Sequence, residues 1–335
     1  MMFNSIGDLA SRLMLNQSNQ QAKGNLVRLS QELTTGLTSD VGGALRNDFA
    51  IQAGWERTIS ASEVREKTLT QSMTRVQAKQ TVLDTINGNS IDLANNISTA
   101  VTSGTISGLD AVSTNAKDAL AQALSQLNVQ SAGRSLFAGS STDGPATADV
   151  EIVMSSVSAA FAGAVTNEDI TTALQNWMDD TSGGFEAIAY LGDDENSGVI
   201  RLDEGRVVND STRANDPALK QTLQNLILAS VATDEGLALS AESKASLLEE
   251  ASSGLRAAAG QVTNLHASLG YIEGQIADGI VQAGAEISTA QMLRTDVLGV
   301  DQYETASKLQ EAELQLEKIY LLTSRTSQMS LLEYL

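Results

Sequence analysis

Cysteine is absent from all 335 residues, so disulfides, thiolate nucleophiles and thiolate-held zinc are excluded. Histidine occurs once, as His266, which removes the paired-histidine helix of zinc metalloproteases. A single imidazole beside Leu265 in a helical pattern reads as a surface or seam side chain. Proline occurs only as Pro145 and Pro217, leaving long stretches free of the strongest helix breaker. Aromatics are 4% of the chain against 42% for all hydrophobics. The apolar content is therefore Ala, Leu, Ile and Val, which suits slender helical bundles rather than an aromatic-rich enzyme core.

Other signals are missing too. No apolar run approaches the ~20 residues that a membrane helix needs, so no membrane insertion is expected. The opening MMFNSIGDLASRLML has neither the basic n-region nor the compact apolar h-region of a Sec signal peptide; an exported chain would need another route. No GxSxG elbow, GxxxxGK[ST] loop or GxGxxG turn occurs. Positive charge is scarce, with 21 Lys+Arg against 41 Asp+Glu, a net of −20 and a pI near 4.3. That balance argues against nucleic acid and anionic membrane surfaces as partners. Residues 143–250 alone hold 20 acidic and 5 basic side chains, a net of −15. A solvated, repulsive middle between nearly balanced ends fits a subunit buried at its termini and exposed at its centre.

What is present is helical patterning at both ends. Leu309, Ala312, Leu316 and Ile319 alternate at three- and four-residue spacing. So do Ile6, Leu9 and Leu13, and then Leu26, Leu29 and Leu33. Such stripes are seams that require another helix. Residues 1–36 read as one or two helices interrupted by a polar stretch from Asn16 to Asn25, followed by a loop over 34–43. From about Phe49 to Val101, Leu69, Val76, Leu83 and Ile97 share one heptad phase with Ser90 in the fifth slot. Met73, Ala94 and Val101 share the companion phase with Gln80 and Asn87; these polar intruders favour a bundle over a strict dimeric coiled coil. A further helix is expected from about Leu109 to Ser135, then a turn-rich exit over 136–145. The acidic middle should hold a helix capped by Asn167, strands at Phe185–Leu191, Val199–Leu202 and Arg206–Val208, and a helix opened by Asp216-Pro217. From Ser240 the helical pattern returns, with Val262, Leu265, Leu269, Ile272 and Ile276 on one face. Residues 298–301 break it, and a last helix covers 302–323.

One stretch invites a metal reading. Asp193, Glu195, Ser197, Gly198, Ile200 and Glu204 match several positions of a calcium-binding loop, but its flanks read as strands, and Glu and Ser are poor at the third and fifth positions. A polar hairpin turn between Tyr190 and Val199 is the plainer reading. The adjacent carboxylates Asp179-Asp180, Asp193-Asp194 and Glu249-Glu250 read as a solvated acidic face.

The fold class expected is mainly α: a long antiparallel helical bundle or coiled coil from both chain ends, with a small inserted α+β, β-rich middle domain. Residues 1–40 and 301–335 would form a terminal assembly domain, 41–140 and 241–300 a long-helix bundle, and 141–240 an outer α+β domain. The assembly interface would comprise Ile6, Leu9, Leu13, Leu26, Leu33, Leu309, Leu316, Ile319, Leu331 and Leu335, packing within and between subunits. No catalytic, cofactor-binding or metal-binding residue is assigned.

Certain motifs carry a family likeness. At one end stands Leu29-Ser30-Gln31-Glu32-Leu33-Thr34-Thr35-Gly36; at the other, Tyr303 to Leu335, with Lys308-Leu309, Ser324, Ser327, Leu331-Leu332 and Tyr334-Leu335. Between them lie Gly133-Arg134-Ser135-Leu136-Phe137-Ala138-Gly139 and Tyr190-Leu191-Gly192-Asp193. With these the chain resembles the flagellin superfamily, and within it the hook-associated proteins of the hook–filament junction. After the Thr-Gly motif, Ser39-Asp40-Val41-Gly42-Gly43-Ala44 lacks the proline frequent in that family. The resemblance implies a structural subunit of the bacterial flagellum, with motility as its context. It implies secretion through the flagellar type III channel with an export chaperone, and an extracellular place on the flagellum. The implied partners are further copies in a ring or tube, the hook-side hook-associated protein and flagellin. It implies no enzyme activity and no cofactor. A filament flagellin shares both ends and is the alternative. An enzyme-bearing flagellin and a free coiled-coil signalling protein are further readings.

Overall fold

The computed structural model describes residues 4–196, 198–237 and 239–332, without side chains at 4–9, 11, 12, 235 and 326–332. In chain order the helices and strands are α1 (Asn4–Thr35), α2 (Val41–Ala44), α3 (Phe49–Ser103), α4 (Ile106–Leu127), β1 (Gln130–Ser131), β2 (Arg134–Ser135), α5 (Val150–Ala160), α6 (Asn167–Asp179), β3 (Val199–Arg201), β4 (Val207–Asn209), α7 (Pro217–Ser230), α8 (Ala241–Leu298) and α9 (Gln302–Leu332). The fold is mainly α with a small β part. Compactness separates a terminal unit, Met1–Val64 with Ala283–Leu335, from a core unit, Arg65–Gln282.

In the terminal unit α1 packs against α9. The break expected at Asn16–Asn25 does not occur: α1 runs through as one helix of 32 residues. Most of those polar side chains are exposed or half-exposed, and Gln, Ala and Lys are good helix formers, so nothing there stops propagation. The helix ends where the Thr-Thr-Gly motif dictates. Thr34 and Thr35 hydroxyls donate back to the carbonyls of Ser30 (2.7 Å) and Gln31 (2.9 Å). Gly36 takes the left-handed capping conformation at φ +70°, its N–H bonding the Glu32 carbonyl at 2.8 Å. Leu37 then pairs antiparallel with Gly299 in the turn between α8 and α9. Thr38 N–H donates to the Leu298 carbonyl at 2.7 Å, and Val300 N–H to that of Gly36 at 3.0 Å. A Cβ on Gly299 would collide with the Thr295 carbonyl, so the turn requires glycine. The buried Glu32 carboxylate closes the knot by accepting from Ser39 N–H at 2.9 Å and from Arg28 Nη1 at 3.2 Å.

The core unit is built on the long helices. Leu69, Val76, Leu83 and Ile97 of α3 are buried as their phase requires, and so are Val262, Leu269 and Ile276 of α8. Ser90, the polar member of the heptad, is buried too and donates to its own helix at the Ile86 carbonyl (2.7 Å), which limits its cost. Here α3 and α8 run antiparallel. Gln77 Nε2 meets Glu273 Oε1 at 2.8 Å, Asp84 meets His266 Nε2 at 3.3 Å, and the Ser98 and Ser252 hydroxyls lie 3.2 Å apart. His266 is thus a half-exposed seam residue. The apolar face of α4 (Leu109, Val112, Ala116, Leu120, Leu127) and that of α7 (Leu219, Leu223, Leu226, Ile227) complete one continuous core.

Four sequence expectations fail in the middle, the first two for tertiary reasons. The helix expected to reach Ser135 stops at Leu127, because the Asn128 amide brackets Thr147: its Nδ2 donates to the Thr147 carbonyl (2.9 Å) and its Oδ1 accepts from Thr147 N–H (2.8 Å). A hairpin follows, with β1 and β2 joined by Ala132 (φ +52°) and Gly133 (φ +76°), the paired positive φ of a tight turn. The strand expected at Phe185–Leu191 is instead a wide π-helical turn, Phe185–Ala189. Phe185 and Ala189, one turn apart, are both buried; Phe185 stands edge-on to Trp177 with ring centroids 6.1 Å apart. A Cβ on Gly184 would meet the Trp177 carbonyl, so glycine permits the approach. The hairpin expected between Tyr190 and Val199 is also displaced: β3 pairs with β4 across a turn at Asp203, while Tyr190 bridges to Thr147. Thr166, not Asn167, caps α6, exchanging hydrogen bonds with Asp169 in a capping box. Asp216-Pro217 opens α7 as read, Asp216 accepting from Ala218 N–H at 3.0 Å.

Candidate assembly surface

The candidate site is a surface rather than a cleft. On α1 the buried positions are Ala22, Leu29 and Glu32, with Leu26 and Leu33 half-buried beside them. On α9 they are Thr305, Ala312 and Ile319, with Leu309 and Leu316 half-buried. The seam is antiparallel: Leu37 pairs beside the start of α9, whereas Lys23 Nζ lies 5.7 Å from the Tyr320 ring farther along. Alanine at two of the central positions admits close approach but leaves little area to bury. Among the described side chains of α9, Ile319 is the largest aliphatic one that is buried, worth about 1.5–3 kcal/mol.

Both helices carry a second apolar face. At 3.6 residues per turn, Tyr303, Leu314 and Leu321 share one side of α9, about 140–180° round from Ala312 and Ile319. Their exposures are 85%, 54% and 55%. On α1, Leu13 lies about 160–180° round from Ala22 and Leu29, and it is 66% exposed. Val27 is exposed on that side as well. Because α1 is unbroken, its early leucine points away from the face that its later leucines turn to α9.

The residues read as an assembly interface therefore divide. Leu26, Leu33, Leu309, Leu316 and Ile319 belong to the α1–α9 seam. Leu13 faces outward. Ile6 and Leu9 on α1 and Leu331 on α9 lie on helices but their side chains are outside the description, and Leu335 lies outside the described residues. Sequence reasoning did not place Glu32, Thr305 or Ala22 in the seam, although Ala22 keeps the spacing of Leu26, Leu29 and Leu33. It also passed over the outward stripe Tyr303, Leu314 and Leu321, whose spacings of eleven and seven were a legible second period.

The calcium-loop candidate is tied up internally. Asp193 Oδ2 accepts from the Ser140 hydroxyl at 2.7 Å and Oδ1 from Glu195 N–H at 3.1 Å; the Ser140 bond above all holds the carboxyl below its ordinary pKa. Arg213 Nη1 donates to the Asp194 carbonyl, and Asn215 Nδ2 to Asp194 Oδ1 at 2.8 Å. Asp203 closes the next turn instead: Arg206 Nε donates to it at 2.6 Å, and that bond, with the amides of Gly205 and Arg206, holds the carboxyl at about 2. Ser197 lies outside the described residues. Among the described residues no group of three or more His, Asp or Glu side chains is arranged to hold a metal ion. No described helix is long and apolar enough to cross a membrane.

The core unit also holds a buried ion pair, Lys79 Nζ to Asp210 Oδ2 at 2.6 Å. Lys79 also donates to the Thr212 carbonyl at 2.8 Å and lies 5.5 Å from the Phe137 ring centre. Burial pushes the ammonium below its ordinary pKa, while Asp210 opposes that push.

No protein-family model matches the chain, and no curated protein matches it. Among solved structures it is similar to a provisionally named flagellar hook-associated protein from Vibrio parahaemolyticus, at 14% identity and a TM-score of 0.41, over 73% of this chain and 99% of that one.

Proposed function

We propose that this chain is a structural subunit of the bacterial flagellum that completes its terminal unit by packing against neighbouring subunits. The observation that carries this reading is the pair of apolar faces on both α1 and α9. One face of each is used within the chain, and the other, with Leu13, Leu314 and Leu321, is exposed. Fully burying those three leucines is worth at most about 5–9 kcal/mol. Association costs about 4–15 kcal/mol in lost freedom, so one contact of this size is marginal and several neighbours are needed. A ring or tube supplies them.

The terminal motifs around Leu33-Thr34-Thr35-Gly36 and Tyr303–Leu335 favour the flagellin superfamily, and the Leu136-Phe137 and Tyr190–Asp193 stretches favour the hook–filament junction within it. In that reading the partners are further copies, the hook-side hook-associated protein and flagellin. Export runs through the flagellar type III channel with a chaperone, and the final place is extracellular. No catalysis, nucleic acid or membrane insertion enters.

The test is a chain truncated before Leu331, expressed in the native organism in place of the full gene. Filament growth should stop while the core unit of the purified truncated chain keeps its melting transition. Normal filaments would overturn the proposal. Immunogold labelling of the full chain should give a thin band at the hook; label along whole filaments would assign the subunit to the filament itself.

A further inference from the structure

Positive charge is rare in this chain, yet it gathers in one cavity. A space of about 190 Å³ opens in the core unit between α3, the β1–β2 hairpin and β3. Its lining includes Arg75 from α3, Arg134 from β2 and Arg201 from β3, with Lys79 below them and Asp210 as the one lining carboxylate. Asp210 is already committed, to Lys79 and to Thr212 N–H at 3.0 Å. The three guanidiniums have no carboxylate partner among the described residues. Arg75 Nη2 reaches the Ser72 hydroxyl at 3.1 Å and Arg134 Nε the Thr142 hydroxyl at 3.0 Å, bonds that leave most of their N–H groups unspent. Arg201 makes no side-chain bond among the described residues.

A second observation is independent of the charges. Ser135 also lines the cavity; it is only 4% exposed, and its buried hydroxyl has no hydrogen-bond partner in the protein. Buried hydroxyls are normally satisfied, so an orphan in a residue of the cavity wall marks a place where an acceptor is missing. Collecting like charges with no counter-charge is unfavourable, and a bound anion relieves it. Guanidinium forks match pairs of oxygens on one acid group. A carboxylate offers two oxygens, whereas three forks from α3, β2 and β3, with the Ser135 hydroxyl next to the second of them in the chain, suit the four corners of a tetrahedral oxyanion.

We infer that this cavity binds a phosphate-type oxyanion, free or as the end of a phosphomonoester, held by Arg75, Arg134 and Arg201 with Ser135 donating from the wall. The site belongs to the core unit and does not depend on the assembly reading.

The experiment is calorimetric titration of the full chain with inorganic phosphate and, separately, phenyl phosphate, at ionic strength fixed with chloride. One saturable site is expected. Tighter binding of the ester would name an esterified phosphate as the ligand source, and tighter binding of the inorganic ion would name the free anion. Arg134→Gln and Arg201→Gln should each lower the affinity at least tenfold with unchanged circular dichroism, and Ser135→Ala by a smaller factor. Arg201→Gln carries the test if Arg134→Gln disturbs the hairpin, because the Arg201 side chain is exposed and supports nothing else. No saturable heat above chloride from either anion overturns the inference, and so does wild-type affinity in a folded Arg201→Gln.

Discussion

In the core unit, six helices turn large aliphatic side chains into one continuous cluster that runs from Leu69 to Ile276. In the terminal unit, the buried apolar residues among those described are few, and four of them, Ala22, Ala283, Ala290 and Ala312, are alanines. Exposure runs the other way: of 23 exposed large hydrophobic residues among those described, 14 lie in the smaller terminal unit. The two units thus spend similar apolar content differently. One has offset the entropy of ordering its backbone with its own core; the other has ordered its helices around a thin seam and left an apolar stripe on each for something else to cover.

The largest test of that contrast is a pair of leucines. Leu69→Ala removes a fully buried side chain and should cost about 2–5 kcal/mol in denaturant unfolding of the isolated chain. Leu13→Ala touches a side chain facing water and should change the same measurement by less than about 0.5 kcal/mol. In assembly the order should reverse: Leu13→Ala should weaken self-association in sedimentation, while a chain that has folded despite Leu69→Ala should still associate. Equal unfolding costs for the two would break the comparison.

The join within the terminal unit offers a smaller lever. Gly36→Ala places a side chain at φ +70° and should cost about 1 kcal/mol. The effect should stay local. Hydrogen exchange at Thr38 and Val300, whose amides bond across to Leu298 and Gly36, should speed up by about fivefold. Amides buried in the core unit should exchange as before. Acceleration spread evenly through both units would show that they open together.

What could be read in advance follows the same division. The α3 and α8 faces were legible because Leu69, Val76 and Leu83, and Val262, Leu269 and Ile276, repeat long enough for their period to be unambiguous. The Asp216-Pro217 start was legible because its signal is local chemistry. The π-helical turn at Phe185–Ala189 was not: five residues are too short to distinguish a strand from a helical turn, and what decides is the edge-on contact with Trp177. The end of α4 was hidden for a like reason, since its stop signal is the Asn128 clamp on Thr147, nineteen residues away in the chain. At the assembly surface, the stripes themselves were legible, but not which way each would face. That depended on whether α1 broke at Asn16–Asn25, and its continuity is what turns Leu13 outward.

The smallest effect separates the units by its dependence on conditions. Tyr190 is buried in the core unit with its hydroxyl donating to the Asp193 carbonyl at 2.8 Å. Burial pushes the phenol up to about 12; Arg213 works against this, and Asp194, Glu186 and Asp193 add to it. A raised pKa means that the folded state holds the proton more tightly than the unfolded chain, where a tyrosine ionises near 10. The stabilisation is therefore complete below pH 10 and is lost as pH rises from there towards 12. At pH 8, Tyr190→Phe should cost about 1 kcal/mol, the worth of one hydrogen bond, and strand the Asp193 carbonyl without its donor. Above pH 10 the gap between wild type and variant should narrow, because only the wild type has a phenol to ionise. The gap should not change with protein concentration, since this contact is complete within one chain. Any loss from Leu13→Ala should appear only where the concentration permits assembly. A Tyr190→Phe gap that stayed constant to pH 12 would remove the coupling of this phenol to folding. A gap that grew with protein concentration would place the surroundings of Tyr190 among the assembly surfaces and redraw the line between the two units.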